Sequence, residues 1–193
     1  MMPLLAVATL LFVAAVTPGP NNLVVMRTAA GSGFLHTMPA VGGIVFGGLA
    51  LLAVVAAGLG TAVTQWPLLR TLVTAGGAAY LVWLGLSLIG SSHVLTRASS
   101  LPVGVFGLFA FQFLNPKAWL MMLTVVAAAP AHNALATFLR LAPLTACISG
   151  ACLLFWIGLG HALSLQLRRP PVRIWTDRVF GVLLIASALM LFV

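Results

Sequence analysis

Leu11-Phe12-Val13-Ala14-Ala15-Val16-Thr17-Pro18-Gly19-Pro20-Asn21-Asn22-Leu23-Val24-Val25-Met26 (residues 11–26) is the stretch on which the fold turns. Either side of Thr17–Asn22 the chain is wholly apolar. The full run, residues 3–26, has the length of one bilayer-spanning helix, which needs about 20 residues and ranges over about 17–25. Inside it sit two prolines, a glycine and two asparagines. Proline in a helix removes an N–H and clashes with the carbonyl four residues back. Pro18 and Pro20 therefore release the carbonyls of Ala14 and Val16. Gly19 between them permits dihedrals that other residues avoid. An unpaired carbonyl in hydrocarbon costs several kcal/mol, so a break there persists only where protein, water or a ligand supplies a partner. The stretch reads as a spanning helix broken on purpose. Its bland alternative is a packing kink made good by neighbouring helices.

The whole chain shares the apolar character. Of 193 residues, 62% are hydrophobic and 5% charged, with a mean hydropathy of +1.20. A soluble domain carries about 25% charged residues, and its surface still needs polar cover. The protein is predicted to be an all-α integral membrane protein, a single transmembrane transporter domain over residues 1–193. Asp177 is the one acidic residue against nine Lys and Arg. The cations are scattered singly between apolar runs, which argues against a nucleic-acid partner and for topology signals at the edges of a lipid bilayer. No Lys or Arg precedes residues 3–16 and the apolar pattern resumes after Pro20, so this segment is expected to be a retained first span rather than a cleaved leader.

Six segments have spanning length: about 3–26, 39–60, 68–90, 101–128, 138–163 and 174–193. Connections one, three and five carry Arg27, Arg97, Arg168, Arg169, Arg173 and Arg178. Connections two and four carry Arg70 and Arg140. The positive-inside rule puts the richer side in the cytoplasm and both termini on the outer face. Three spans per half forces the halves into opposite orientation, the 3+3 inverted repeat of many transporters. Each half opens on a proline-broken span, the first and the fourth. Each half's second span also has an early proline, Pro39 and Pro143.

The fourth-span break is Phe111-Gln112-Phe113-Leu114-Asn115-Pro116-Lys117-Ala118-Trp119. Pro116 is expected to free the carbonyl of Gln112. Gln112, Asn115 and Trp119 share a helix face, and Lys117 points elsewhere. A cation at mid-span is expensive, about 2.5–3.5 kcal/mol on insertion scales. Lys117 must meet freed carbonyls, water or the carboxylate of a bound anion, or else snorkel to an interface. Tyr80, near the middle of the third span, either faces a cavity or bonds a neighbouring carbonyl.

Thr17-Pro18-Gly19-Pro20-Asn21 and Asn115-Pro116-Lys117-Ala118, with Gly76-Gly77-Ala78-Ala79-Tyr80-Leu81-Val82-Trp83-Leu84-Gly85 in the third span, resemble the signature motifs of the LysE/RhtB family of amino-acid exporters. The likeness covers essentially the whole chain. It implies an inner-membrane, proton-gradient-driven exporter of amino acids or close derivatives, assembled as a homodimer.

The substrate-binding set is accordingly Pro18, Gly19, Pro20, Asn21, Asn22, Gln112, Asn115, Pro116, Lys117 and Tyr80. Helix N-termini at the breaks carry partial positive charge and suit a substrate carboxylate, to which Lys117 adds charge. The four amides orient the headgroup. No phosphate-cradling GxxxxGK[ST] occurs, and a single carboxylate excludes paired-carboxylate chemistry; no enzyme, metal site or cofactor is expected. Cys147 and Cys152 leave a thiol–disulfide electron carrier as a rival, although i, i+5 spacing is poor for pairing. A metal or anion exporter on a related scaffold is a second. Gly43 and Gly47 mark a close helix seam, either within the protomer or at a dimer contact. Trp66, Trp83 and Trp175 suit an aromatic belt.

Overall fold

The computed structural model describes residues 4–59, 65–90, 104–129, 131–167 and 169–189. Arg97 and Arg168, singled out above, lie outside them. The described residues are helical and contain no strand: α1 Leu4–Val16, α2 Pro20–Ser32, α3 Phe34–Val54, α4 Pro67–Gly90, α5 Val105–Leu114, α6 Pro116–Ala128, α7 Ala134–Ala162, the single turn α8 Ser164–Leu167, and α9 Pro170–Leu189.

Both breaks fall where the prolines require. The chain bends by 55° between α1 and α2, with Gly19 extended as the cap and Pro20 in the first turn of α2. The second break is Asn115, extended, with Pro116 opening α6. Proline is tolerated at this first position because that N–H has no intrahelical partner anyway. Pro39 and Pro143 instead lie inside continuous helices. Gly33, at φ 89°, makes the turn that lets α3 begin directly after α2; few side chains tolerate that dihedral.

α3 with its wider last turn (Phe34–Leu59) and α7 are each long and apolar enough to cross a membrane, and the bent α1–α2 pair passes the same test only when its two helices are counted together. The apolar lengths Thr74–Gly90, Val105–Leu114 and Pro116–Ala128 are shorter, and α9 carries Arg173, Asp177 and Arg178. Large apolar side chains cover the outside, Phe106 at 88% and Leu5 at 78% exposure among them. In water such a surface would drive association; beside apolar helices of this length it is a surface for lipid.

Inside, glycines let backbones touch. A Cβ on Gly43 would stand 2.4 Å from the Val105 carbonyl oxygen, and one on Gly47 2.5 Å from that of Phe109. The Gly43–Gly47 seam thus lies within the protomer, between α3 and α5. A Cβ on Gly160 of α7 would stand 2.1 Å from the Met26 carbonyl of α2. Gly85 and Gly181 approach each other's helices reciprocally, binding α4 to α9. Asp177 of α9 is ion-paired with Arg27 of α2.

Candidate functional site

The seams bring the two breaks together. Asn21 Nδ2 donates to Gln112 Oε1 at 2.9 Å, and Gln112 Nε2 donates back to Asn21 Oδ1 at 3.1 Å. This reciprocal amide pair joins positions 91 residues apart. Gln112 is held from behind by its own bond to the Leu108 carbonyl.

The carbonyls released at the first break all have donors. Thr17 Oγ1 donates to Ala14. Asn22 Nδ2 donates to Ala15 at 2.9 Å and Thr17 at 2.8 Å. Trp156 Nε1, from α7, donates to Val16 at 3.2 Å. Lys117 Nζ donates to the Thr17 carbonyl at 2.7 Å and Thr17 Oγ1 at 2.9 Å, and reaches the Pro18 carbonyl at 3.5 Å. Lys117 therefore answers the freed carbonyls, and its cation sits at the C-terminal end of α1, where the helix dipole favours it. Gly19 makes room: a Cβ there would lie 3.1 Å from Lys117 Nζ.

The second break is repaired more locally. The carbonyl of Gln112, expected to be freed by Pro116, is taken up by the backbone N–H of Asn115 at 3.3 Å. Trp119 Nε1 donates to the Phe113 carbonyl. Asn115 Oδ1 caps α6 by accepting from the Lys117 backbone N–H. Its counterpart at the first break has no such cap: Gly19 offers no side chain to the first turn of α2.

Where the breaks meet is a cavity of about 60 Å³. Gly19, Pro20, Asn21, Asn22, Gln112, Asn115 and Lys117 line it. Pro18, Pro116 and Tyr80 are the three expected site residues that do not. Pro116 instead packs beneath Gly77 of α4, and Tyr80 packs at a tilt against Phe111, ring centroids 4.9 Å apart. The remaining wall is Ala14 and Ala15 of α1, Ile44, Val45 and Gly48 of α3, Ala118, Met121 and Met122 of α6, and Thr145, Ser149 and Leu153 of α7. Thr145 and Ser149 escaped the sequence reading, because single small hydroxyls in an apolar helix carry no mark there. Among the described residues no three His, Cys, Asp or Glu side chains gather as a metal set. Cys147 is exposed and Cys152 buried, on different faces of α7.

An apolar helical protein whose polar residues converge on a small cavity between two broken helices has the build of a membrane transporter. Residues 12–193 match the family described as LysE type translocator, and the chain belongs to that family. It is 30% identical over 128 residues to a protein named cysteine/O-acetylserine efflux protein from Salmonella typhimurium strain LT2, covering 65% of this chain and 66% of the relative. The protein of the same name from Salmonella paratyphi A matches over the same share at 30% identity. That from Escherichia coli O139:H28 is 28% identical over 186 residues, 95% of this chain and 94% of its own length. The chain thus spans just under two thirds of the Salmonella relatives it matches and nearly all of the Escherichia coli one. No solved structure matches.

Proposed function

We propose that this protein exports small neutral amino acids, of the cysteine or O-acetylserine kind, across the cytoplasmic membrane as a proton-gradient-driven secondary transporter. The observation that carries this reading is the uncapped N-terminus of α2, opening onto a cavity that the other break closes. Its first-turn amides and the helix dipole suit a carboxylate. Most side-chain hydrogen bonds around it are already spent on carbonyls, so the site offers the substrate backbone amides, the Asn115 amide nitrogen and nearby carbonyl oxygens. A water needs about 10–15 Å³ of such space, so a cavity of about 60 Å³ holds a skeleton near the size of serine or cysteine. Its lining holds no acidic side chain to pair with the side-chain cation of lysine or arginine.

In this proposal α1–α2, α3 and α4 form one half with three spans, and α5–α6, α7 and α9 form the other in inverted orientation, with both termini outside and two copies associating as a homodimer. The matching placement of Pro20 and Pro116 as first helical residues supports it, as does the contact of Arg27, at the first connection, with Asp177, just after the fifth. The test is export from cells overproducing the protein, challenged in turn with cysteine, O-acetylserine, serine, alanine and lysine. Faster efflux of the small neutral group is expected, abolished by Asn115→Ala or Pro20→Ala with membrane insertion retained. Normal export by both variants would show the site to be elsewhere.

A further inference from the structure

Thr145 differs from five other helical threonines. Thr9, Thr37, Thr124, Thr137 and Thr176 each donate to the carbonyl four residues back, the default for this residue in an apolar helix. Thr145 does not. Its hydroxyl is buried without a hydrogen-bond partner, the one such side-chain atom among the described residues. The residue is 2% exposed, and it lines the cavity at the two breaks. Buried hydroxyls are almost always satisfied, and an orphan asks what completes it. The charged ends of an amino acid have other partners here, the α2 amides for the carboxylate and oxygens for the ammonium. A lone neutral hydroxyl, donor and acceptor at once, suits an uncharged polar group.

We propose that Thr145 is a specificity-determining residue that hydrogen-bonds the polar atom on the substrate's side chain, a hydroxyl, thiol or ester oxygen close to the β-carbon. The assignment rests on the export reading above and names which side chains that export favours. Ser149, one turn along the same face of α7 and also lining the cavity, extends the polar wall toward a longer substituent. A site built to meet a polar substrate atom discriminates against the analogue that lacks it, because its own group is then stranded.

Serine and alanine differ by that one atom. The protein reconstituted in liposomes and assayed for transport of each should prefer serine. Thr145→Val, which keeps the shape and removes the hydroxyl, should lower the serine-to-alanine ratio of kcat/KM about tenfold, with the loss falling on KM for serine. Thr145→Ser should keep the ratio. If the valine variant does not accumulate in the membrane, Thr145→Ala carries the same comparison. An unchanged ratio in the hydroxyl-free variant, alongside active transport, overturns the role of Thr145 and leaves export standing. Equal loss for both substrates in the valine and serine variants alike overturns it in favour of a packing role. Transport of none of the tested amino acids by the unaltered protein overturns the export reading and this assignment with it.

Discussion

At the scale of single residues, the polar groups in the broken spans divide into those that repair the backbone and those left over. Asn22, Lys117, Trp119 and Trp156 spend their donors on carbonyls at the breaks. The sequence marks Asn22 and Lys117 as out of place in a span, and assigns them to substrate. It does not show which acceptor each finds, because that depends on two breaks about a hundred positions apart coming into contact. Thr145 is the converse: it looks ordinary in the sequence and becomes informative only once its missing partner is seen. Asn22 gives a direct check. Asn22→Ala would leave the Ala15 and Thr17 carbonyls with one donor fewer each, and stranded buried groups cost about 1–3 kcal/mol apiece. Lys117 still serves Thr17, so the loss should fall near the lower end of the sum, about 2 kcal/mol. It should appear as a lower thermal midpoint of the detergent-solubilised protein. Asn22→Asp, with no N–H to donate, should be no better. A midpoint unchanged in both variants would mean that the break is held by other groups.

At the scale of elements, the helices were legible and their contacts only half so. Among the described residues, each expected apolar segment falls on a helix or a broken helical pair, since run length and proline position are local properties. Boundaries moved outward where glycine rather than a polar cluster makes the turn, as at Gly33 before α3. Gly43 and Gly47 announced a close seam without saying against what. The partner proves to be α5, which carries Gln112, so the seam sets the distance between the breaks. Neighbouring glycines should therefore respond in opposite ways. Gly43→Ala places a methyl 2.4 Å from the Val105 carbonyl and must push backbone; overpacking of this kind costs about 1–3 kcal/mol. Gly42→Ala meets open space and gains about 0.5–1 kcal/mol of helix propensity. Thermal unfolding of the two variants should bracket the unaltered protein. The denser variant should also lose transport, because Gln112 moves away from Asn21.

At the scale of the whole molecule, charge is scarce enough for each placement to be read. Asp177 is the only acid, and it sits against Arg27 of α2 rather than near Lys117. Lys117 can do without it because a helix C-terminus supplies partial negative charge at its Nζ. Arg27 lies beyond the bend, where α2 has no such end to offer, and the carboxylate from α9 takes that place. The pair ties the first broken helix to the last helix in the chain, a link that composition and hydropathy do not reveal, because nothing local in 170–189 points to residue 27. Breaking a fully buried ion pair by removing one partner costs about 3–5 kcal/mol, whereas replacing both by apolar groups is often neutral. The Arg27 side chain here is 28% exposed and that of Asp177 8%. Water therefore relieves part of the burden, and Asp177→Leu should cost on the order of 2 kcal/mol. Arg27→Met alone should also destabilise, since it leaves the buried Asp177 carboxylate without its ion-pair partner. Arg27→Met combined with Asp177→Leu should recover most of the loss, giving a double-mutant coupling of opposite sign to the single changes. Thermal midpoints of the four proteins, measured at one pH and one detergent concentration, supply the cycle. Additive losses would mean that the two groups stabilise the fold separately, through packing rather than as a pair. A coupling that vanishes in high salt would place the contact in open water at the membrane edge, while one that persists would place it within the helical bundle, where screening ions do not reach.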